Sequence, residues 1–136
     1  MRFIIAAILS LGLSLGLATA GAAKTPLRDI RAIDDNMLAV ALALEVDKKC
    51  GEISARKIKG LNFLFSLKKK ANSLGYSDAE INAYRKSPNE KARIRANGEA
   101  YVKSKGFNPK VSADLCKFGH AEIASRSTIG SLLKAK

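Results

Sequence analysis

The 136 residues carry 24 lysines and arginines against 12 acids, a formal charge of +12, with two cysteines, one histidine and no tryptophan. One histidine and two thiols far apart in sequence leave no ligand set for zinc. The chain also lacks a Gly-x-Ser-x-Gly elbow, a phosphate-cradling glycine loop and a CxxCH haem motif, so no cofactor and no metal are expected.

The chain opens "MRFIIAAILSLGLSLGLATAGAAK". Met1 and Arg2 make a short positive start, Phe3 to Leu17 carry no charge, and Ala18-Thr19-Ala20 gives the small-x-small pattern of a signal peptidase site. The expectation is a signal peptide over 1–20 cut between Ala20 and Gly21, with a cut after Ala22 as the near alternative. An uncleaved anchor competes, because Phe3 to Ala23 is uncharged and about 20 apolar residues span a bilayer. Ser10, Gly12, Ser14 and Gly16 dilute that run and favour removal. No cysteine follows it to accept a lipid. Residues 21–136 are then one exported, periplasmic domain, and losing Arg2 lowers the charge from +12 to +11. Such a charge in the cytosol would point to nucleic acid. Export turns the expectation toward anionic lipid headgroups, envelope polymers or an acidic protein, with peripheral membrane contact among the possibilities.

Helix punctuation is legible along the rest. "IDDNMLAVALALEVDKKCG" predicts a first helix capped near Asp34 and stopped by Gly51, with Lys48 and Lys49 suiting its negative end. A second is predicted from about Ile53 to Leu74, ended by Gly75. "SDAE" at 77–80 is a capping box opening a short helix through Lys86. "SPNE" at 87–90 repeats the device, with Pro88 at the first helical position of a helix to about Lys105 and Gly106 beyond it. "FNPKVS" is a turn, and Ser112 is expected to cap a last helix, "ADLCKFGHAEIASR". Ile129, Leu132 and Leu133 have spacing fit to dock the tail "STIGSLLKAK".

The fold class is therefore all-α, a small bundle of about five helices. Both cysteines lie in the exported part, and an even count there reads as a Cys50–Cys116 disulfide. The 65-residue loop it closes is worth about 4 kcal/mol of chain entropy. A pair of buried free thiols is the alternative.

Candidate chemistry is sparse. His120 and Glu122 are two apart, pointing to different sides of a helix, so they are no base with its orienting carboxylate. Asp34, Asp35, Asp78, Glu80 and Glu90 all fall in first turns, where the macrodipole explains them. No catalytic residue is assigned.

The run Lys68-Lys69-Lys70 fans round a helix and cannot form one patch. A wheel drawn from Ile53 puts Ile53, Ile58, Leu61, Leu64, Phe65 and Ala71 on the expected core face, with Lys57 and Lys68 inside it and in need of solvent or a carboxylate. On the far side lie Arg56, Lys59, Phe63, Ser66 and Lys70. Arg56, Lys59, Phe63 and Lys70 are the candidate anionic-surface residues, on a segment with no acid from Ile53 to Leu74. The plainer reading covers Phe63 with a neighbouring helix and leaves the cations wet.

"PLRDIRAIDD", "GYSDAEINAY", "EKARIRANGEAY", "LCKFGHAEIA" and "IGSLL" together resemble a family of small exported alphaproteobacterial proteins known only as a domain of unknown function. The resemblance spans Pro26 to Leu133 and includes both cysteines. It implies a helical, bacterial, periplasmic protein and no activity. Three functions compete: a non-enzymatic binding or accessory protein presenting a basic helix to an anionic partner, a stress holdase exposing apolar faces, and an envelope hydrolase using a carboxylate pair.

Overall fold

The computed structural model describes residues 22–136, so the expected leader and its junction at Ala20 and Gly21 lie outside the described residues. A 3-10 turn (Leu27–Asp29) leads into α1 (Arg31–Lys49), β1 (Ile53–Ala55), α2 (Lys57–Ser73), α3 (Asp78–Lys86), α4 (Pro88–Ser104), α5 (Ser112–Ala124), a one-turn α6 (Thr128–Ser131) and β2 (Leu133–Ala135). The protein is an all-α bundle with one disulfide and a two-stranded sheet that the sequence reading did not anticipate.

The alanine- and leucine-rich α1 is the hub, packing against α2, α4, α5 and α6. Its small Ala39 and Ala43 are buried beside Leu42 and Val46, which lets its neighbours approach closely. The main core joins these to Ile53, Val102, Leu115, Phe118 and Leu133. Phe118 is its largest fully buried side chain, met edge-on by Tyr101 and Phe107 at centroid distances of 6.1 and 6.2 Å. A smaller cluster of Leu27, Ile33, Ala71 and Tyr76 ties the start of the described chain to α2 and α3.

Cys50, just past α1, is bonded to Cys116 in α5 with Cα atoms 5.2 Å apart. The capping devices form as read. Ser77 accepts from the Glu80 N–H at 3.2 Å while the Glu80 carboxylate accepts from the Ser77 N–H at 2.6 Å. Ser87 caps α4 with Pro88 behind it, and Gly75 and Gly106 take the positive φ that ends α2 and α4. The tail docks through buried Ile129, Leu132 and Leu133.

Three local expectations are corrected. The second helix starts at Lys57, because Ile53–Ala55 pairs antiparallel with Leu133–Ala135, Ile53 opposite Ala135. The Ala55 N–H donates to Asp47 at 2.9 Å and the Arg56 N–H to the Leu132 carbonyl at 2.7 Å, so these backbone groups are satisfied outside a helix. Asp34 and Ser112 are not caps: the residues before the helices are Ile30 and Val111, and neither makes a side-chain cap bond.

The third correction concerns the buried face of α2. Ile58, Leu61 and Phe65, expected in the core, are 80%, 54% and 56% exposed. Of the expected face, Ala71 is buried and Leu64 half-buried as read, and they are joined by Leu67 and by Phe63 half-buried against the main core. Ala71, 1% exposed, is the small residue of that inward face.

Candidate functional site

The acid–base candidates do not assemble. His120 is exposed on α5, its Nε2 3.2 Å from the Glu52 carboxylate. Glu122 is buried two residues on, on the other side of the helix. It accepts from the Tyr101 hydroxyl at 3.4 Å and from Ser127 Oγ, and so fastens the α5–α6 corner.

Glu90 is the other buried acid, and its role was not visible in sequence beyond its place in a first turn. It accepts from Arg93 at 2.8 Å and pairs with Arg28 at 3.0 Å. Arg93 also forks onto Asp34 of α1 at 2.5 and 3.0 Å, and the Tyr84 hydroxyl donates to Asp34 at 2.6 Å. Burial opposes ionisation of Asp34, but hydrogen bonds from Arg93 and Tyr84 and the charges of Arg93 and Arg28 outweigh it and hold the carboxyl below its usual range. Asp78, bonded by Lys68 and Asn72, is held low too, as are Glu80 by the Ser77 N–H and Lys24 and Glu99 by Lys110. These are carboxylates with partners, kept ionised. An acid catalyst needs the opposite arrangement.

The surface of α2 is different. Arg56 stands before the helix with Nε donating to the Leu133 carbonyl at 2.9 Å, so it is tied in part to β2. Lys59 and Lys70 are exposed on the helix, and Phe63 between them packs partly inward. The apolar groups that reach solvent are Ile58, Leu61 and Phe65, one turn apart along a single stripe. Lys57 and Lys68 lie on one side of this stripe and Lys69 on the other, by helical geometry. Lys68 meets Asp78 at 2.9 Å, which meets its need for a carboxylate. Lys57, Lys59, Lys69 and Lys70 have no carboxylate within ion-pair distance among the described residues. Hydrophobic content alone could not separate the two apolar faces of α2. The fully buried small residue of the packed face is Ala71, which the wheel places in the core together with the stripe that is exposed.

Among the described residues no helix is long and apolar enough to cross a membrane. No curated protein and no solved structure is similar enough to match. Residues 25–134, nearly all of the described chain, match the family of unknown function DUF5333, and the protein belongs to that family.

Proposed function

We propose that the protein is exported to a bacterial periplasm, loses its leader there, and acts without catalysis as a binding or accessory protein that lays α2 on an anionic membrane surface. The observation that carries this reading is the acid-free α2, which holds Ile58, Leu61 and Phe65 out to water between Lys57 on one side and Lys69 on the other, neither of them met by a carboxylate among the described residues. Apolar side chains insert at the headgroup boundary, and the lysines meet phosphate there. Lys59 and Lys70 add to the attraction from the flank, and Arg56 extends it at the helix start. An alphaproteobacterial source fits the sequence resemblance, and a native N-terminus at Gly21 rather than Met1 is the mass-spectrometric sign of export.

Co-sedimentation with vesicles tests the surface. Phosphatidylglycerol vesicles should retain the protein, phosphatidylcholine vesicles should not, and added salt should release it. Each lysine near such a surface contributes about 1 kcal/mol, so Lys57→Glu with Lys69→Glu should weaken binding by about 2 kcal/mol or more. The same two reversals at Lys103 and Lys105, at the far end of α4, should cost much less. Equal loss from both pairs would reduce the effect to net charge and remove α2 as a site.

A further inference from the structure

A second open apolar feature lies between α1, α3 and α4, a groove of about 330 Å³. Val40, Ala41 and Leu44 of α1 form one wall and Ile94, Gly98 and Val102 of α4 the other. Leu44, at the lip, is 56% exposed. The α1 wall runs from Met37 to Glu45 and the α4 wall from Lys91 to Val102, lengths of about 12 and 16 Å at the helical rise. The shape is a narrow trough, suited to one extended chain.

Its charges are asymmetric in a specific way. The acids along it are Glu45, Glu90 and Glu99, and each is already engaged: Glu45 by Lys49 at 2.5 Å, Glu90 by Arg28 and Arg93, and Glu99 by Lys110 at 2.7 Å. The cations along it are Arg85, Lys91 and Arg95, and none has a carboxylate partner among the described residues. Arg85 reaches only the Asn82 side-chain oxygen, at 3.3 Å. The charge left to a ligand is thus wholly positive, carried by two guanidinium forks and one ammonium, beside an apolar floor. A guanidinium fork matches a carboxylate in two parallel hydrogen bonds.

We infer that the groove between α1 and α4 binds one single-chain anionic amphiphile of the fatty-carboxylate class, its tail along Val40, Ala41, Leu44 and Ile94 and its head held by Arg85 and Arg95. The volume suits one chain and is at the low end of ligand pockets, which excludes a two-chain lipid from full burial. This site goes beyond the membrane-surface reading and uses none of the exposed α2 residues.

The test is calorimetric titration of the full exported chain with dodecanoate below its micellar concentration. Dodecanol and dodecyltrimethylammonium serve as same-tail controls. Dodecanoate should bind at one site, at least tenfold tighter than either control. Ala41→Phe should fill the trough and weaken dodecanoate at least tenfold. Arg85→Gln with Arg95→Gln should erase the preference for dodecanoate over dodecanol while leaving tail binding. Leu61→Asp with Phe65→Asp on α2 should leave the titration unchanged, so failure here is distinct from failure of the vesicle experiment. Thermal melts establish that each variant is folded, and Leu44→Asp replaces Ala41→Phe if the larger side chain prevents folding. Equal binding of the cationic and anionic tails would overturn the proposal, as would binding indifferent to these groove substitutions. An acidic amphipathic peptide that binds where dodecanoate does not would overturn it in favour of a protein partner.

Discussion

Gly119 of α5 sits where the sheet, α1 and α5 meet, and a single methyl group there should be costly. A Cβ at this position would lie 2.7 Å from Ile53 Cδ1 and 2.8 Å from Val46 Cγ1, both on fully buried side chains. The Ile53 atom is a chain end and can swing. Val46 is β-branched and stiff, on a helix that four others pack against, so the valine contact sets the cost. Overpacking of this kind costs about 1–3 kcal/mol, and the helix-propensity gain of alanine over glycine returns about 1 kcal/mol of it. Gly119→Ala should therefore lose up to about 2 kcal/mol net. Val46→Ala alone should lose about 2 kcal/mol by leaving a cavity. In the double variant the new methyl occupies space the valine vacated. Its loss should be smaller than the sum of the singles by about 1 kcal/mol or more, measured as urea midpoints with unchanged slopes. Additive losses within about 0.5 kcal/mol would refute the contact as the source of the cost.

Two further predictions concern the bonds between elements. Replacing Cys50 and Cys116 by serine opens the long loop that the bond closes, and the loss of about 4 kcal/mol should lower the melting temperature by about 15 °C. A change of only a few degrees would remove the disulfide as a principal support. The Asp34 carboxyl binds its proton less readily in the fold than in the unfolded chain, so its contribution is complete above the unfolded value of 3.8 and disappears as pH falls through the folded value. Urea midpoints should therefore fall between about pH 5 and pH 2, and Asp34→Asn should make that limb shallower, with the remaining slope left to Asp78, Glu80 and Glu99, whereas an unchanged limb would place the acid sensitivity wholly in those other groups.

Local chemistry carried the parts of this fold that one or two turns decide. Ser77 with Glu80 and Ser87 with Pro88 mark helix starts because both partners lie within four residues. Gly75 and Gly106 mark ends because only glycine takes their φ without strain. The cysteine pair was legible from count and context. β1 was not, since three residues cannot announce themselves and their partner is the far end of the chain, Leu133–Ala135. The face of α2 was misassigned for a related reason. It carries two apolar stripes, and their hydrophobicity does not say which one its neighbours cover. The Asp34–Arg93–Glu90 network joins α1 to α4 across 59 residues, so no local pattern shows it. Exposure of Ile58, Leu61 and Phe65 is the feature on which the functional reading depends, and only tertiary structure supplies it.

Tryptophan is absent from the chain, so Phe65→Trp makes a single reporter in the centre of the exposed stripe. Free in solution its emission should be that of a wet indole. Phosphatidylglycerol vesicles should shift it to shorter wavelength as the ring enters the headgroup boundary, phosphatidylcholine vesicles should leave it in place, and salt should reverse the shift. Emission that stays wet while the protein sediments with the anionic vesicles would mean that some other surface makes the contact, and would contradict α2 as the membrane-facing helix.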